Sequence, residues 1–82
     1  RLVIGINGEV AFAEYSSQDG EPPYLVAVSP TAVIKGTHIF LVTNEGTEID
    51  GRHCLAFPVF AEVVRRFIET GERAEIVEWE DA

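Results

Sequence analysis

Residues 57–81, FPVFAEVVRRFIETGERAEIVEWED, predict a helix that is followed closely by a strand. Pro58 suits the first turn of a helix, where its missing N–H costs nothing. Apolar residues then recur at i, i+3, i+4, i+7 and i+8, which places on one face Phe60, Val63, Val64, Phe67 and Ile68. Gly71 stands where a left-handed residue commonly ends a helix. Beyond it, residues 74–80 alternate in the way expected of a half-buried strand.

The opposite face of this helix is charged. Its charged side chains are Glu62, Arg65, Arg66 and Glu69, so ion pairs are expected at i, i+4 between Glu62 and Arg66 and between Arg65 and Glu69. Exposed pairs of this kind contribute about 0.2–0.5 kcal/mol each and need no functional explanation.

The first 28 residues favour three strands. Residues 2–6 and 10–15 are apolar runs on either side of Asn7-Gly8, a pair that favours the type I′ turn of a β-hairpin. Residues 16–23 contain Asp19-Gly20 and two consecutive prolines, which is typical of a loop. The apolar residues 24–28 predict the third strand.

The middle of the chain adds further strands and completes a fold class. Residues 31–37 are ambiguous, whereas residues 38–43, HIFLVT, form the most apolar strand and are expected to lie centrally in the sheet. Turn signals on both sides of the short strand 47–49 follow, at Asn44-Glu45-Gly46 and Asp50-Gly51. The prediction is an α+β fold: an antiparallel sheet of about five strands with one amphipathic C-terminal helix packed on it, followed by a final strand.

Length and composition limit the architecture and the location of the protein. Eighty-two residues, of which 46% are hydrophobic, predict a single small domain over residues 1–82. The chain opens at Arg1 rather than Met, so further N-terminal structure is left open. The lone Cys54 cannot form an internal disulfide, which favours a reducing compartment and thus a cytoplasmic protein. No apolar run approaches about 18 residues, which predicts no membrane span.

The charge balance indicates the kind of partner. Fourteen acidic residues against six basic ones give a net charge of −8. This field repels a phosphate backbone, so direct binding of nucleic acid is not expected. A basic protein is the expected partner instead, because opposite charges steer association and speed it.

Trp79 and the carboxylates around it admit two interpretations each. Burial of a Trp removes about 150–250 Å² from water, an upper-bound stabilisation of about 4–6 kcal/mol. A domain this small would lose much of its stability without it, so a core position is favoured over a binding anchor. In the same tail only Arg73 opposes Glu72, Glu75, Glu78, Glu80 and Asp81. These carboxylates form either a solvated face or an acidic contact surface.

Catalytic chemistry is weakly supported. His53 and Cys54 are the one thiol–imidazole pair, but adjacent residues of an extended segment point to opposite faces. His38 is expected to cap the start of its strand rather than to act as a base. The set His38, Asp50, His53 and Cys54 lacks a recognised metal-ligand spacing. The expectation is therefore no enzyme activity, no metal and no cofactor.

Two segments resemble a known protein family. The C-terminal run resembles the signature of polymorphic-toxin immunity proteins, the kind often paired with nucleic-acid deaminase toxins. Its places are occupied here by Phe67, Thr70, Gly71, Arg73, Trp79 and Glu80. The segment LVIGINGEVAFAEY, residues 2–15, resembles the strand–turn–strand of the same family. Ala74 departs from the pattern, which usually has proline at that place.

The resemblance implies a non-catalytic antitoxin that binds a cognate toxin domain in the bacterial cytoplasm and blocks its active site or substrate groove. The contacts are expected from carboxylates on loops and edges. The candidates are Asp19, Glu21, Glu45, Glu48, Asp50, Glu78 and Glu80. The alternative function is a non-catalytic scaffold or self-assembling subunit, with homo-oligomers formed through a sheet edge.

Overall fold

The computed structural model describes residues 1–8, 10–28, 34–42 and 45–82. In these residues the elements are, in chain order, β1 (Leu2–Ile6), β2 (Ala11–Tyr15), β3 (Leu25–Val28), β4 (Thr37–Val42), β5 (Glu45–Asp50), a 3-10 turn (Gly51–His53), α1 (Phe57–Thr70) and β6 (Glu78–Asp81). All strand pairs are antiparallel. The predicted α+β class, with one C-terminal helix and a final strand, is confirmed.

The described strands form two sheets rather than one. Four of them pair in the order β1-β2-β3-β6, and β4 pairs with β5 in a separate hairpin. The final strand returns beside β3, with Leu25 opposite Asp81 and Val28 opposite Glu78. Strand β6 starts at Glu78 instead of continuing from residue 74, because the chain turns at residues 75 and 76, with the buried Ala74 before the turn and the buried Val77 after it.

The expectation that residues 38–43 lie centrally in the sheet is wrong over the described part of that segment. Strand β4 pairs only with β5 in the described chain, and Ile39 and Leu41 are exposed on it. Phe40, between them, is almost fully buried. A continuous apolar run indicates two buried faces, but here only one face of the strand is covered. The ambiguous residues 31–33, together with Thr43 and Asn44, lie outside the described residues.

Strand β2 separates two apolar clusters. Ala11 and Ala13 face α1, together with Ala27 of the neighbouring strand, and all three are fully buried. Alanine side chains are short, so the helix can approach the sheet closely and bring Phe60 and Val63 into the same cluster. The helix, the four-stranded sheet and the hairpin therefore form three layers.

The cluster on the other face of β2 holds the hairpin in place. Phe12 meets Phe40 edge to face, with ring centroids 4.9 Å apart and planes at 82°, and Val10 and Cys54 complete the cluster. Gly5, opposite Phe12 on β1, leaves room for that ring. A Cβ atom on Gly5 would stand 2.8 Å from Cδ1 and 3.0 Å from Cζ of Phe12, and closer still to Cε1.

The helix has the expected ends. Pro58 lies in its first turn, and Gly71 closes it with φ of 73° and an N–H donated to the carbonyl of Phe67. Arg65 pairs with both Glu62 and Glu69, so the pair expected between Glu62 and Arg66 is replaced by one at i, i+3. Among the described residues, no helix combines the length and apolarity needed to cross a membrane.

The first hairpin has a longer connection than a type I′ turn. Ile6 is the last β1 residue in register, opposite Ala11, so residues 7–10 join the strands. The Asn7 side chain accepts a hydrogen bond from the Val10 N–H at 3.0 Å, and Gly8 takes a φ of 95°. The hairpin itself is confirmed, and asparagine and glycine still make its turn.

Candidate protein-binding surface

The outer face of the β4–β5 hairpin combines apolar and acidic side chains. Cross-strand partners share a face of a sheet. The register places Ile39 opposite Glu48, Leu41 opposite Gly46 and Thr37 opposite Asp50. Ile39 is 60% exposed and Leu41 is 79% exposed. We call the surface of Ile39, Leu41, Glu48 and Asp50 the hairpin face.

The other candidate of β5, Glu45, lies on the opposite side of the hairpin ribbon. It is exposed at the first position of the strand, and its cross-strand partner is Val42. Its charge is therefore near the end of the hairpin, beyond the apolar side chains of the hairpin face.

Three carboxylates, one of them Asp50 of the hairpin face, lie around Arg52, which follows the hairpin. Glu80 accepts two hydrogen bonds from the Arg52 guanidinium, one of them from Nε at 3.0 Å. The imidazole Nε2 of His53 lies 3.2 Å from the same carboxylate. Hydrogen bonding to Glu80, with added attraction from Glu78 and Asp50, raises the pKa of Arg52 above its usual value. The structure thus gathers Asp50, Glu78 and Glu80 at the same end of the hairpin.

The negative charge of Glu80 is already balanced by Arg52 of the same chain. The bonds from Arg52 and then His53 lower the pKa of Glu80. A partner cation would have to compete with Arg52 for this carboxylate. Glu78, two residues earlier on the same face of the sheet, is exposed and makes no salt bridge in the described chain.

Asp50 has a local structural role as well. Its Oδ1 accepts a hydrogen bond from the Arg52 N–H at 2.9 Å and caps the 3-10 turn. Removal of this carboxylate would therefore disturb the turn that positions Arg52, in addition to changing the charge of the hairpin face.

Asp19 and Glu21 form a separate acidic loop. The Asp19 carboxylate accepts hydrogen bonds from the Ser17 hydroxyl and, at 3.3 Å, from the Glu21 N–H. The first of these bonds, supported by the second, lowers the pKa of Asp19. Both residues are exposed. Their carboxylates have no hydrogen bond or ion pair with the other five candidates in the part of the chain described.

Trp79 is half-buried and rigidly held. Its Nε1 donates to the Ala74 carbonyl at 2.9 Å, and its ring lies 6.2 Å from that of Tyr15. It packs against the helix-side cluster, as a core interpretation predicts, but one side of it opens into a surface pocket. Sequence reasoning missed this pocket, because Tyr15 lies 64 residues away from Trp79 and no local pattern links them.

Cys54, His53 and His38 each contact a different group. Cys54 is 1% exposed, and burial raises the pKa of its thiol, which lies 3.5 Å from the Asp50 carbonyl. His53 bonds Glu80, whereas His38 bonds the Lys35 carbonyl at 2.9 Å just before its strand. No group of three or more His, Cys, Asp or Glu side chains in the described ranges is placed to hold a metal ion.

An exposed apolar centre with carboxylates around it is typical of a protein-binding surface. The family model for "Immunity protein Imm1" matches residues 1–81 of this chain. The chain therefore belongs to that immunity-protein family. No curated protein and no solved structure matches it.

Proposed function

We propose that this protein is a cytoplasmic bacterial antitoxin that inhibits a cognate secreted toxin by binding it through the hairpin face. Membership of an immunity-protein family supports a toxin as the partner. The observation that carries the proposed site is the exposure of Ile39 and Leu41 beside Glu48 and Asp50. An apolar centre of this kind supplies affinity, and the charges around it supply orientation and rate.

The toxin we propose is a nucleic-acid-acting deaminase or nuclease. Such enzymes need a basic cleft for the phosphate backbone. The net charge of −8 attracts such a cleft, and Glu48, Asp50 and Glu78 offer carboxylates where phosphates would bind. Complete burial of one Ile or Leu side chain contributes about 1.5–3 kcal/mol, so Ile39 and Leu41 would anchor the complex. Inhibition by occupation of the cleft requires no catalytic residue, metal or cofactor of this chain.

The test is inhibition of the purified toxin domain by this protein and by matched variants. Leu41→Asp places a charge at the centre of the hairpin face and should weaken inhibition about tenfold or more. The control is Ile68→Asp, because Ile68 is similarly exposed, at 76%, but lies on α1. Inhibition that survives Leu41→Asp and fails with Ile68→Asp would move the interface to the helix.

The salt dependence of the association rate tests the electrostatic part of the proposal. The rate should fall as salt rises from 50 to 500 mM, since exposed charges are screened over about 10 Å at 0.1 M and less at higher salt. Glu48→Lys should reduce the rate, whereas the helix variant Glu69→Lys should change it much less. Equal effects of the two variants would show that only net charge matters, and not the hairpin face.

A scaffold or self-assembling subunit is the alternative, and one feature favours it. An apolar groove runs between β1 and α1, bounded by Ile4, Phe57, Val64 and Ile68. Strand β1 is also an edge of the four-stranded sheet over the described residues. Light scattering across a concentration series separates the two functions: a stable oligomer without any toxin would favour the scaffold, and a monomer would favour the antitoxin.

A further inference from the structure

A surface pocket of about 540 Å³ lies beside Trp79, away from the hairpin face. It is lined by Tyr15, Glu72, Arg73, Ala74, Glu75, Val77 and Trp79. Glu72 and Glu75 belong to the acidic tail, but neither is among the seven carboxylates named above as candidate partner contacts. We call this site the aromatic pocket.

Its walls are two aromatic rings in fixed positions. The rings of Tyr15 and Trp79 have centroids 6.2 Å apart and planes at 67°. The hydrogen bond from Trp79 Nε1 to the Ala74 carbonyl fixes the indole, and Phe67 packs edge-on against Tyr15 at 6.2 Å. A ligand would therefore find the rings already in place, with little ordering cost.

The pocket already accommodates a guanidinium group. The Cζ atom of Arg73 lies 5.4 Å from the centroid of the Tyr15 ring, within the range of a cation–π contact. Arg73 is exposed, and in the described chain its side chain makes no salt bridge. Such a contact is weak at an exposed site, so Arg73 can leave the ring at little cost.

Two carboxylates at the rim add negative charge. Glu72 and Glu75 are both exposed, and neither forms a salt bridge in the part of the chain that the structure describes. With Arg73 on Tyr15, the side chains of Glu72, Arg73 and Glu75 carry a net charge of −1. If Arg73 leaves the pocket, the two carboxylates leave a charge of −2 in its lining. Aromatic faces beside free carboxylates favour a cation over any neutral or anionic ligand.

We propose that the aromatic pocket binds an arginine side chain of the protein partner, with Arg73 as its internal placeholder; the partner's being the toxin rests on the proposed function. Arginine fits better than lysine because a planar guanidinium stacks on aromatic faces and bonds a carboxylate with two donors. The pocket is a second contact point, separate from the hairpin face, and gives the complex a specific anchor.

The test uses small probes and needs no toxin. Trp79 is the sole tryptophan, so its indole N–H gives one resonance in a ¹H–¹⁵N spectrum of the labelled protein. The probes are N-acetyl-argininamide, the lysine analogue and the neutral citrulline analogue. The arginine probe should shift this resonance saturably. The citrulline probe should bind at least about fivefold more weakly than the arginine probe, since it has the same shape without the charge.

Variants assign the binding to the pocket. Arg73→Gln should tighten the arginine probe about two- to fivefold, because the internal competitor is gone. Glu72→Gln with Glu75→Gln should weaken it about two- to tenfold. Glu45→Gln with Glu48→Gln removes the same charge from the hairpin and is the matched control.

The absence of a saturable shift would overturn the proposal, and so would an equal loss of affinity in the control variant. Binding of the lysine or the citrulline probe as tight as that of the arginine probe would overturn it as well. These results are independent of toxin inhibition. Binding of the probe without inhibition would reject the proposed function and leave the pocket, whereas inhibition without probe binding would reject the pocket alone.

Discussion

Substitution of Gly5 by alanine tests the packing that holds the hairpin on the sheet. The added Cβ would stand 2.8 Å from Cδ1 of Phe12, whereas carbon atoms pack at about 3.5–4.0 Å. The Phe12 ring cannot retreat freely, because it is buried and meets Phe40 at a centroid distance of 4.9 Å. Overpacking of this kind costs about 1–3 kcal/mol. Three ring atoms of Phe12 would lie at 3.0 Å or less, which places the cost in the upper half of that range, about 2–3 kcal/mol. The smaller conformational freedom of alanine in the unfolded chain offsets about 0.4–1 kcal/mol of this, so the net destabilisation is about 1–2.5 kcal/mol.

That loss is measurable in a domain of this size. Eighty-two residues suggest a total stability of about 4–12 kcal/mol, and 1 kcal/mol shifts the midpoint of thermal unfolding by about 4–8 °C. Thermal unfolding followed by circular dichroism should therefore show a fall of about 5–15 °C for Gly5→Ala. The control is Gly46→Ala, whose Cβ would lie 3.4 Å from Cγ2 of Ile39 on the exposed hairpin face, an ordinary contact, with no closer atom among the described residues. Its midpoint should move by no more than about 3 °C.

A second substitution isolates the clash. If Phe12 is the obstacle, Phe12→Leu should cost less stability in the Gly5→Ala background than in the native chain, because the smaller side chain relieves the overlap. Equal midpoints for Gly5→Ala and Gly46→Ala, or strict additivity of the two changes, would refute the reasoning.

Three other substitutions have definite expected outcomes. Trp79→Ala removes the bond to the Ala74 carbonyl and a half-buried ring, and urea unfolding should show a loss of about 2–3 kcal/mol; native stability would contradict the packing described. Cys54→Ser should leave toxin inhibition intact in a folded protein while lowering the unfolding midpoint, because the hydroxyl is buried in an apolar cluster. The lowered pKa of Glu80 means that its contribution to stability is present above the unfolded pKa and is lost as pH falls through the folded one. Stability of Glu80→Gln should therefore decline less than that of the native chain between about pH 5 and pH 3, and parallel declines would exclude Glu80 as the cause.

The elements with strong local patterns could be predicted from the sequence. Pro58, the apolar stripe and Gly71 define the helix, and the structure places it at Phe57–Thr70. The hairpin of β1 and β2 and the return of the last strand are also as expected. The helix and the hairpin depend on neighbours within a few residues, where backbone geometry sets the pattern. The pairing of the last strand with β3 joins residues more than 45 positions apart, as between Val28 and Glu78, so the local pattern indicates a strand but not its partner.

The layers and the long-range pairs could not be predicted. The apolar character of residues 38–43, with the continuous apolar run 39–42, predicts a strand at the centre of the sheet, but hydropathy does not reveal which side of a strand another layer covers. The bond between Arg52 and Glu80 spans 28 residues and depends on how the hairpin packs. The acidic candidates remain predictions as partner contacts. The structure distinguishes Glu80, whose charge Arg52 balances, from candidates such as Glu48 and Glu78, which are exposed and have no salt bridge in the described chain.

The division of the interior by β2 has a consequence for how such a protein can change over generations. One apolar cluster joins the sheet to α1, and the other joins it to the hairpin. Substitutions in separate clusters that share no contacts have nearly additive effects on stability. Ile39, Leu41 and Glu48, which we propose as toxin contacts, can therefore change without compensating changes in the helix layer. The helix side of the sheet can thus stay unchanged and preserve the fold, while the exposed side chains of the hairpin vary.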